Sequence, residues 1–241
     1  MVELVDTLVL GTSAEIRVGV RVPPEAPNER IVLKQVGQMW ILDDDPVFQK
    51  EFEASGDQFD VGSLDMAFRH IKSWRTAIDG GAHYGTWTRC FGDRFQRVLA
   101  FEPRTDLFEC LTKNVDGYST VEINNAALGK ELGSVTVGRG PSYHNTGTAQ
   151  VTGPGPTPLL TIDSLNLTDV DFIKLDVEGY ELYALQGAHQ TLLRDKPVVH
   201  LEDKGHSADF GIPRGSAGKF LEKLGAKLVD SYRGRDFVYS W

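Results

Sequence analysis

From Thr76 onward, short apolar runs alternate with stretches of helical periodicity, and this alternation is the feature that most constrains the fold. The apolar runs are "TAID", "RVLAFE", "TVEINNA", "DFIKLDV" and "PVVHLE", and helical patterns stand between most of them. Such alternation is typical of parallel strands joined by right-handed crossovers. It predicts a doubly wound, mostly parallel α/β sheet, which binds ligands at the carboxyl ends of its strands.

The part of the chain before this alternation is predicted to be an extension, so that residues 1–75 and 76–241 form two units. The segments "EIRVGVRV" and "RIVLKQV" have the alternation of half-buried strands and indicate a β-hairpin. Asp45 before Pro46 marks the start of a helix, and a second helix is predicted to end near Trp74. We expect this extension to shape an acceptor pocket.

The first strand of the alternating region leads into "DGGAHYG", a glycine-rich turn before a helix. Dinucleotide-binding folds use G-x-G-x-x-G, in which the middle glycine lets the backbone approach a pyrophosphate. Here the pattern from Gly80 is G-x-A-x-x-G, and the methyl group of Ala82 crowds a pyrophosphate. Asp79 disfavours phosphate and favours a cationic ligand. S-adenosylmethionine carries a sulfonium and an ammonium but no phosphate, so the turn favours it over NAD. An NAD-dependent oxidoreductase is the alternative interpretation.

Polar residues follow the next two strands at their carboxyl ends. Glu102 lies 17 positions after Gly85, where an acid can accept hydrogen bonds from both ribose hydroxyls. NAD enzymes use the same arrangement, so Glu102 indicates an adenosine ligand without choosing between the two. Asn124 and Asn125 are placed to meet an adenine edge, although asparagine at a strand end is as often a turn former.

Composition excludes several classes of function. The net charge of −9, with no local run of Lys and Arg, argues against nucleic-acid binding. No apolar run approaches the ~18 residues of a membrane span, and the first residues lack the charge pattern of a signal peptide. Cys90 and Cys110 are predicted to be thiols rather than a disulfide. We therefore expect a cytoplasmic protein.

The strings "AIDGGAHYGTWT", "LAFEP", "NNAALG", "LTIDSL", "FIKLDVEGYELYALQGA" and "KPVVHLE" together resemble the FkbM family of S-adenosylmethionine-dependent methyltransferases. The similarity runs from about Thr76 to Glu202 in the right order and spacing. It implies a class I, Rossmann-like, seven-stranded sheet closed by a C-terminal hairpin. It also implies methyl transfer, usually to a hydroxyl of a sugar, polyketide or similar small molecule. His83 and Tyr84 depart from the family's usual turn.

The turn and the resemblance together give an expected set of cofactor-binding residues: Asp79, Gly80, Gly81, Ala82, His83, Gly85, Glu102, Asn125, Ala126 and Asp176. A hydroxyl acceptor also needs a base. Asp176 is the first choice because it ends the strand beside the expected methyl position, and His200 and His144 are the other candidates.

Two other interpretations of these residues stay open. Asp176, His200 and Glu202 carry ligand types that suit a divalent metal, but their spacing matches no metal motif, so no metal is expected. A non-catalytic S-adenosylmethionine-binding module would keep the fold, although the acids of "IKLDVEG" argue against it. The segment from Gly138 to Pro158 lacks periodicity and is predicted to be an irregular loop, either mobile filler or a lid over the acceptor.

Overall fold

The structure, a computed structural model, describes residues 31–56, 61–138 and 146–241. The strands are β1 (Leu33–Val36), β2 (Met39–Leu42), β3 (Thr76–Gly80), β4 (Arg97–Phe101), β5 (Val121–Asn124), β6 (Ala127–Leu128), β7 (Gly133–Gly138), β8 (Gln150–Leu160), β9 (Val170–Leu175), β10 (Val198–Glu202), β11 (Lys227–Tyr232) and β12 (Asp236–Ser240). The helices are α1 (Pro46–Ser55), α2 (Val61–Phe68), α3 (Thr86–Gly92), α4 (Thr105–Asn114), α5 (Glu181–Gln186), α6 (His189–Asp195) and α7 (Ser216–Lys223). The predicted strand over 15–22 and His144 lie outside the described residues.

Seven strands form the main sheet in the order β11-β12-β10-β9-β3-β4-β5. The neighbours from β10 to β5 are parallel, whereas β12 pairs antiparallel with both β10 and β11. This confirms the predicted doubly wound sheet closed by a C-terminal hairpin. The carboxyl ends of β3, β4, β9 and β10 therefore meet at one edge. None of the described helices is long and apolar enough to cross a membrane.

Alternation along the central strands divides their side chains between two apolar layers. Ile78, Ile173 and Val199 pack with α5, α6 and α7 on one face. Ala77 and Phe172 pack with α2 and α3 on the other. Burying a large apolar side chain in such a layer stabilises the fold by roughly 1.5–3 kcal/mol. On the face of α2 and α3, buried polar residues such as Asp79, Lys174 and His200 take over towards the strands' carboxyl ends.

The hairpin of β1 and β2, together with α1, is attached to α4 and the glycine turn by polar groups. The Asn114 side chain accepts a hydrogen bond from the Trp40 amide at 2.7 Å and donates to the Trp40 and Tyr84 carbonyls, each at 2.8 Å. Asp45 caps α1 by accepting from the Phe48 amide at 3.1 Å, as its position before a proline predicted. The second predicted helix is shorter than expected, because α2 ends at Phe68.

The segment "ELYALQGAHQTLLR", predicted as one helix, is broken into α5 and α6. A Cβ on Gly187 would lie 2.0 Å from the Gly129 carbonyl oxygen, so this position packs directly against backbone. The Asp163 carboxylate then caps α6 from outside by accepting from the Gln190 and Thr191 amides, each at 2.9 Å. A tertiary contact and a distant cap therefore override the local helical pattern.

The irregular loop predicted from Gly138 to Pro158 is wrong from Gln150 onward, where the chain forms β8. This strand lies between β6 and β7 in a second, three-stranded sheet. Its prolines, at 154, 156 and 158, occupy every second position, so their missing amide donors share one side. β8 still pairs with β7, with two register shifts. Only the last two residues of β8 pair with β6.

Candidate functional site

A cavity of about 630 Å³ opens at the carboxyl edge of the main sheet, within the usual range for ligand pockets. We call its side over β3, β4 and β5 the turn half, lined by Gly81, Ala82, His83, Glu102 and Ala126. We call its side over β9 and β10 the charged half, lined by Lys174, Asp176, Glu178, Glu202 and Lys204. Helix α1, residues 146–149 and 151, the start of α3 and residues beside β12 form further walls.

The glycine turn is shaped by contacts within the protein. Gly81 has φ +78°, and a Cβ there would stand 1.9 Å from the Asp176 carbonyl oxygen. The amides of Gly81 and Ala82 both donate to the Phe101 carbonyl, at 3.0 and 2.9 Å. A Cβ on Gly85, with φ +84°, would meet Leu111 at 2.6 Å. These glycines let the turn lie directly against the end of β9 and against α4.

Asp79 lies beneath the turn and outside the cavity lining. Its fully buried carboxylate accepts from the Thr88 hydroxyl at 2.6 Å, and its Oδ1 is 3.1 Å from Lys174 Nζ. The same ammonium donates to the Gly81 carbonyl at 2.7 Å. Sequence reasoning missed Lys174, although a lysine inside the apolar run "DFIKLDV" is a signal for a buried ion pair. A role of Asp79 beside a cationic ligand stays a prediction.

Glu102 lines the turn half with a carboxyl group that is almost completely buried. It accepts from the His83 and Arg104 amides, each at 2.9 Å. Burial raises its pKa to about 7, against the opposing effect of these two amides. Asn125 donates to the carbonyls of Glu102 and Pro103 at 2.9 and 3.2 Å, so it fastens the strand end and is not part of the lining.

His83 connects the turn to the N-terminal segment. Its Nε2 is 2.8 Å from Thr146 Oγ1, which itself donates to Asp45 Oδ2. Tyr84 donates to the same Asp45 oxygen at 2.9 Å. Because Thr146 uses its proton on Asp45, His83 Nε2 must be the donor to Thr146. Burial, followed by the charge of Arg104, lowers the pKa of His83 to about 3, so the ring is neutral. The two residues that depart from the family's usual turn thus tie it to Asp45.

The charged half is a polar continuation of the apolar layer formed with α2 and α3. Asp79, Lys174 and His200 are register partners on β3, β9 and β10, and parallel partners point to the same face. Two residues further along β9 and β10 come Asp176 and Glu202. Register between strands therefore brings together charges that are far apart in sequence.

Lys204 stands at the centre of three carboxylates. Its Nζ is 2.8 Å from Glu178 Oε1, 3.0 Å from Glu202 Oε2 and 3.6 Å from Asp176 Oδ1. The side chain of Asp176 is 31% exposed, against 8% and 10% for Glu178 and Glu202. Asp176 is therefore the carboxylate of this group that is open to the cavity. Neither Lys204 nor its contact with Asp176 was anticipated from the sequence.

The three carboxyl groups have different proton affinities. Burial would raise the pKa of Asp176, but the charges of Lys204 and Lys174 outweigh it and hold that pKa below its usual value. Burial and the charge of Asp176 raise the pKa of Glu202 to about 9. Burial and the same neighbour also raise the pKa of Glu178. Of the three, Asp176 is thus the carboxyl group that most readily stays ionised.

His200 is packed into the wall of the cavity with 1% of its surface exposed. Its Nε2 is 2.9 Å from Ser63 Oγ and 3.4 Å from Asp236 Oδ1. Its ring centroid lies 4.9 Å from that of Trp87. These contacts give His200 the surroundings of a structural histidine.

The structure brings seven of the expected site residues into the cavity lining: Gly81, Ala82, His83, Glu102, Ala126, Asp176 and His200. Asp79, Gly80, Gly85 and Asn125 support that lining from behind, and His144 lies outside the described residues. Within residues 31–56, 61–138 and 146–241, no group of three or more His, Cys, Asp or Glu side chains is arranged to hold a metal ion.

The turn half has the chemistry that S-adenosylmethionine requires. Glu102 presents a carboxylate for ribose hydroxyls. Phe101, Leu107 and Leu128 offer apolar surface for a base. Among the described lining residues, Lys204, Arg233 and Arg235 lie after β10 and beside β12, away from the turn half, and Lys174 is held beneath the turn by Asp79 and the Gly81 carbonyl. That separation suits a ligand without a pyrophosphate.

Comparison with known proteins gives a family match and several relatives. Residues 79–228 match the family described as the methyltransferase FkbM domain. The hexuronic acid methyltransferase AglP of Haloferax volcanii is 32% identical over 169 residues, which cover 66% of this chain and 67% of that protein.

Two solved structures are similar at low identity. A methyltransferase FkbM from Methylobacillus flagellatus KT has 18% identity and a TM-score of 0.49, and the match covers 74% of this chain and 48% of that one. The present chain thus spans about half the length of that protein. An S-adenosylmethionine-dependent methyltransferase from Aquifex aeolicus has 15% identity and a TM-score of 0.43, with 82% and 93% covered.

Proposed function

The chain belongs to the FkbM methyltransferase family and is an S-adenosylmethionine-dependent methyltransferase, and from this premise we propose that it methylates a hydroxyl group of a carbohydrate. The name of the Haloferax relative supports a hexuronic acid, or a sugar related to one, as the acceptor. The same relatives do not favour an NAD-dependent oxidoreductase or a non-catalytic binding module.

The observation that carries this proposal is the position of Asp176 where the two halves of the cavity meet. Its amide donates to the Gly80 carbonyl at 3.1 Å, and its own carbonyl packs against Gly81. Its side chain is partly open to the cavity. A carboxylate attached directly to the cofactor turn and open towards the charged half is well placed to receive an acceptor hydroxyl.

When bound, S-adenosylmethionine supplies a methyl group that is already activated for transfer. The tasks left to the protein are to align the acceptor and to remove its proton. In this proposal Asp176 accepts the hydrogen bond of the acceptor hydroxyl, and it takes that proton as the oxygen gains the methyl group. Its lowered pKa makes it a weaker base but keeps it ionised throughout the physiological pH range.

We assign the proton to Asp176 rather than to His200 because of their surroundings. His200 is almost completely buried, and its Nε2 already has two partners. Glu102 is proposed to accept hydrogen bonds from the ribose hydroxyls of the cofactor. Gly81, Ala82 and Ala126 are proposed to line the part of the cavity that holds it. Asn125, Gly80 and Gly85 hold these groups in place without touching the ligand.

Residues 31–56 are proposed to close one side of the same cavity, and so to act with the methyltransferase domain rather than apart from it. Val47, Phe48, Glu51 and Ser55 of α1 line the cavity. The Phe48 ring centroid is 4.5 Å from that of His83. This contact supports a role for α1 in limiting the shape of the acceptor.

Transfer of labelled methyl groups tests the proposal. Purified protein with labelled S-adenosylmethionine is offered methyl glycosides of glucuronic acid, glucose and glucosamine. We expect base-stable label, which marks an ether, on a sugar hydroxyl and highest on the uronic acid. Label that is base-labile marks a carboxyl ester, and label on the glucosamine nitrogen marks an amine acceptor. Either result would overturn the hydroxyl assignment while leaving methyl transfer intact.

A further inference from the structure

We propose that Lys204 is a positioning residue for methyl transfer, whose ammonium keeps the Asp176 carboxylate ionised and directed into the cavity. This inference rests on the proposed role of Asp176 as proton acceptor. The residue acts through Asp176 and is not required to touch the acceptor or the cofactor.

The geometry assigns this role because a single ammonium serves three carboxyl groups. Lys204 donates to Glu178 at 2.8 Å and lies 3.0 Å from Glu202 and 3.6 Å from Asp176. Two carboxylates that share a site cannot both remain ionised without a compensating charge. Without Lys204, none of the other described cations contacts more than one of these three carboxyl groups; Arg235 lies 3.4 Å from Glu202 alone, and Lys174 contacts none of the three.

Lys174 cannot replace Lys204 beside Asp176, because its ammonium already binds groups in and beneath the turn. Its Nζ donates to the Gly81 carbonyl at 2.7 Å and is 3.1 Å from Asp79 Oδ1. Its side chain is 8% exposed, whereas that of Lys204 is 29% exposed. One lysine therefore neutralises the buried acid beneath the turn, and the other serves the acids at the cavity surface.

The backbone next to this cluster supports a functional arrangement. Glu178 has φ +52°, a left-handed conformation that is uncommon for a residue other than glycine. Strained backbone of this kind persists where surrounding contacts hold it, and it concentrates at functional sites. Here the contacts are Lys204 on its side chain and Gln150, which donates to its carbonyl at 3.1 Å.

Other titratable and charged groups around Asp176 set the electrostatic surroundings in which Lys204 acts. They are Asp79 on β3, Lys174 on β9, Glu178 after β9, His200 and Glu202 on β10, His206 beyond Lys204, Arg235 and Asp236 at β12, and His83 in the turn. When Glu202 loses its proton, its negative charge destabilises the ionised form of Asp176, with which it shares a hydrogen bond. A nearby cation then offsets that repulsion. Lys204 is the cation that contacts both carboxyl groups.

The test compares the pH dependence of methyl transfer in wild type, Lys204→Met and Lys204→Arg. The measured quantity is kcat/KM for the acceptor at saturating S-adenosylmethionine, over about pH 5–9. Wild type should show no acid limb from Asp176, because its pKa is held low. Lys204→Met should acquire one, in which activity falls towards the acid end and approaches a roughly tenfold loss for each pH unit below the raised pKa of Asp176. Lys204→Arg should restore the flat profile.

Two controls separate positioning from folding. Lys219→Met removes an exposed lysine from α7 and should leave profile and thermal midpoint unchanged. Cofactor affinity from calorimetry should be the same in Lys204→Met and wild type. If Lys204→Met does not fold, Lys204→Met with Glu178→Gln removes one carboxylate together with the ammonium. The acid limb is expected in that variant as well.

The results distinguish this inference from the proposed function beneath it. If Asp176→Asn turns over like wild type, the assignment of the base fails and the role of Lys204 fails with it. If Asp176→Asn loses turnover but the folded Lys204 variants keep a flat profile, only the inference about Lys204 is overturned. A change in thermal midpoint alone would make Lys204 a structural residue and would also overturn it.

Discussion

The two halves of the cavity present opposite surfaces to a ligand. In the turn half, backbone, small side chains and apolar groups surround a single acidic side chain, Glu102, among the described lining residues on β3, β4 and β5. In the charged half, Lys204 joins three carboxyl groups in one network, and Lys174 lies behind them against the buried Asp79. The first arrangement suits a cofactor of constant shape. The second holds groups that can exchange protons with an acceptor.

The two halves are joined by backbone, and substitutions of their side chains can disturb each half separately. Asp176 donates to Gly80 and packs against Gly81 through main-chain atoms. Its carboxylate, by contrast, belongs to the network around Lys204. Side-chain changes in the charged half should therefore affect turnover, and those in the turn half should affect cofactor binding.

Asp176→Asn should reduce turnover more than any other substitution considered, because it keeps the shape of the side chain and removes most of its basicity. Loss of a general base typically costs about 10²–10⁴-fold in rate. Turnover should fall by that amount while the affinity for S-adenosylhomocysteine, measured by calorimetry, stays near that of wild type. Asp116→Asn, at an exposed position after α4, is the matched control. Equal loss of binding and turnover would show that the halves are not separable.

Gly81→Ala should distort both halves of the cavity at once, because Gly81 packs against the backbone of Asp176. The new Cβ would meet the Asp176 carbonyl at 1.9 Å in a left-handed conformation. Overpacking and the left-handed backbone together should cost about 2–5 kcal/mol of the free energy of unfolding. Gly37→Ala also has positive φ but nothing within 4 Å, so it should lose only about 1–2 kcal/mol. Denaturant unfolding measures both, and equal losses would remove the argument from packing.

The turn half could be predicted from the sequence better than the charged half. The turn and Glu102 are local signals, because a glycine pattern after a strand and an acid after the next strand are contiguous with the elements that place them. The family resemblance covered the same motifs. Lys204 lies beyond the end of β10, and only the pairing of β10 with β9 brings it to Asp176. Such register is a tertiary property. The break at Gly187 likewise depends on a tertiary contact, with Gly129. The strand β8 was missed for a local reason, because its glycines and prolines hide the pattern of a strand.

Glu102→Ala should weaken cofactor binding in the turn half and leave turnover nearly unchanged. A hydrogen bond to a charged group is worth roughly 1.5–3 kcal/mol, so affinity for S-adenosylhomocysteine should fall by that amount in calorimetry. Turnover at saturating cofactor should change little, because the charged half is untouched. Glu122→Ala, on the neighbouring strand β5 and exposed, should alter neither quantity. Unchanged affinity in Glu102→Ala would move the ribose contact to another residue.

The smallest expected effect concerns pH, and it should also differ between the halves. Burial raises the pKa of Glu102 to about 7, so its carboxylate is fully ionised only above that value. The ionised form is the better acceptor for ribose hydroxyls, and affinity for S-adenosylhomocysteine should therefore fall as the pH drops through 7. Between about pH 8 and pH 6 the fall should be roughly tenfold, since the ionised fraction changes by that factor. Asp176 has its pKa held low by Lys204 and Lys174, so turnover at saturating cofactor should not follow the same curve. Calorimetry at several pH values, with Glu102→Gln as the variant that cannot titrate, measures the first effect. An equally steep curve in Glu102→Gln would assign the pH dependence to another group, and the separation of the two halves would then rest on the substitutions alone.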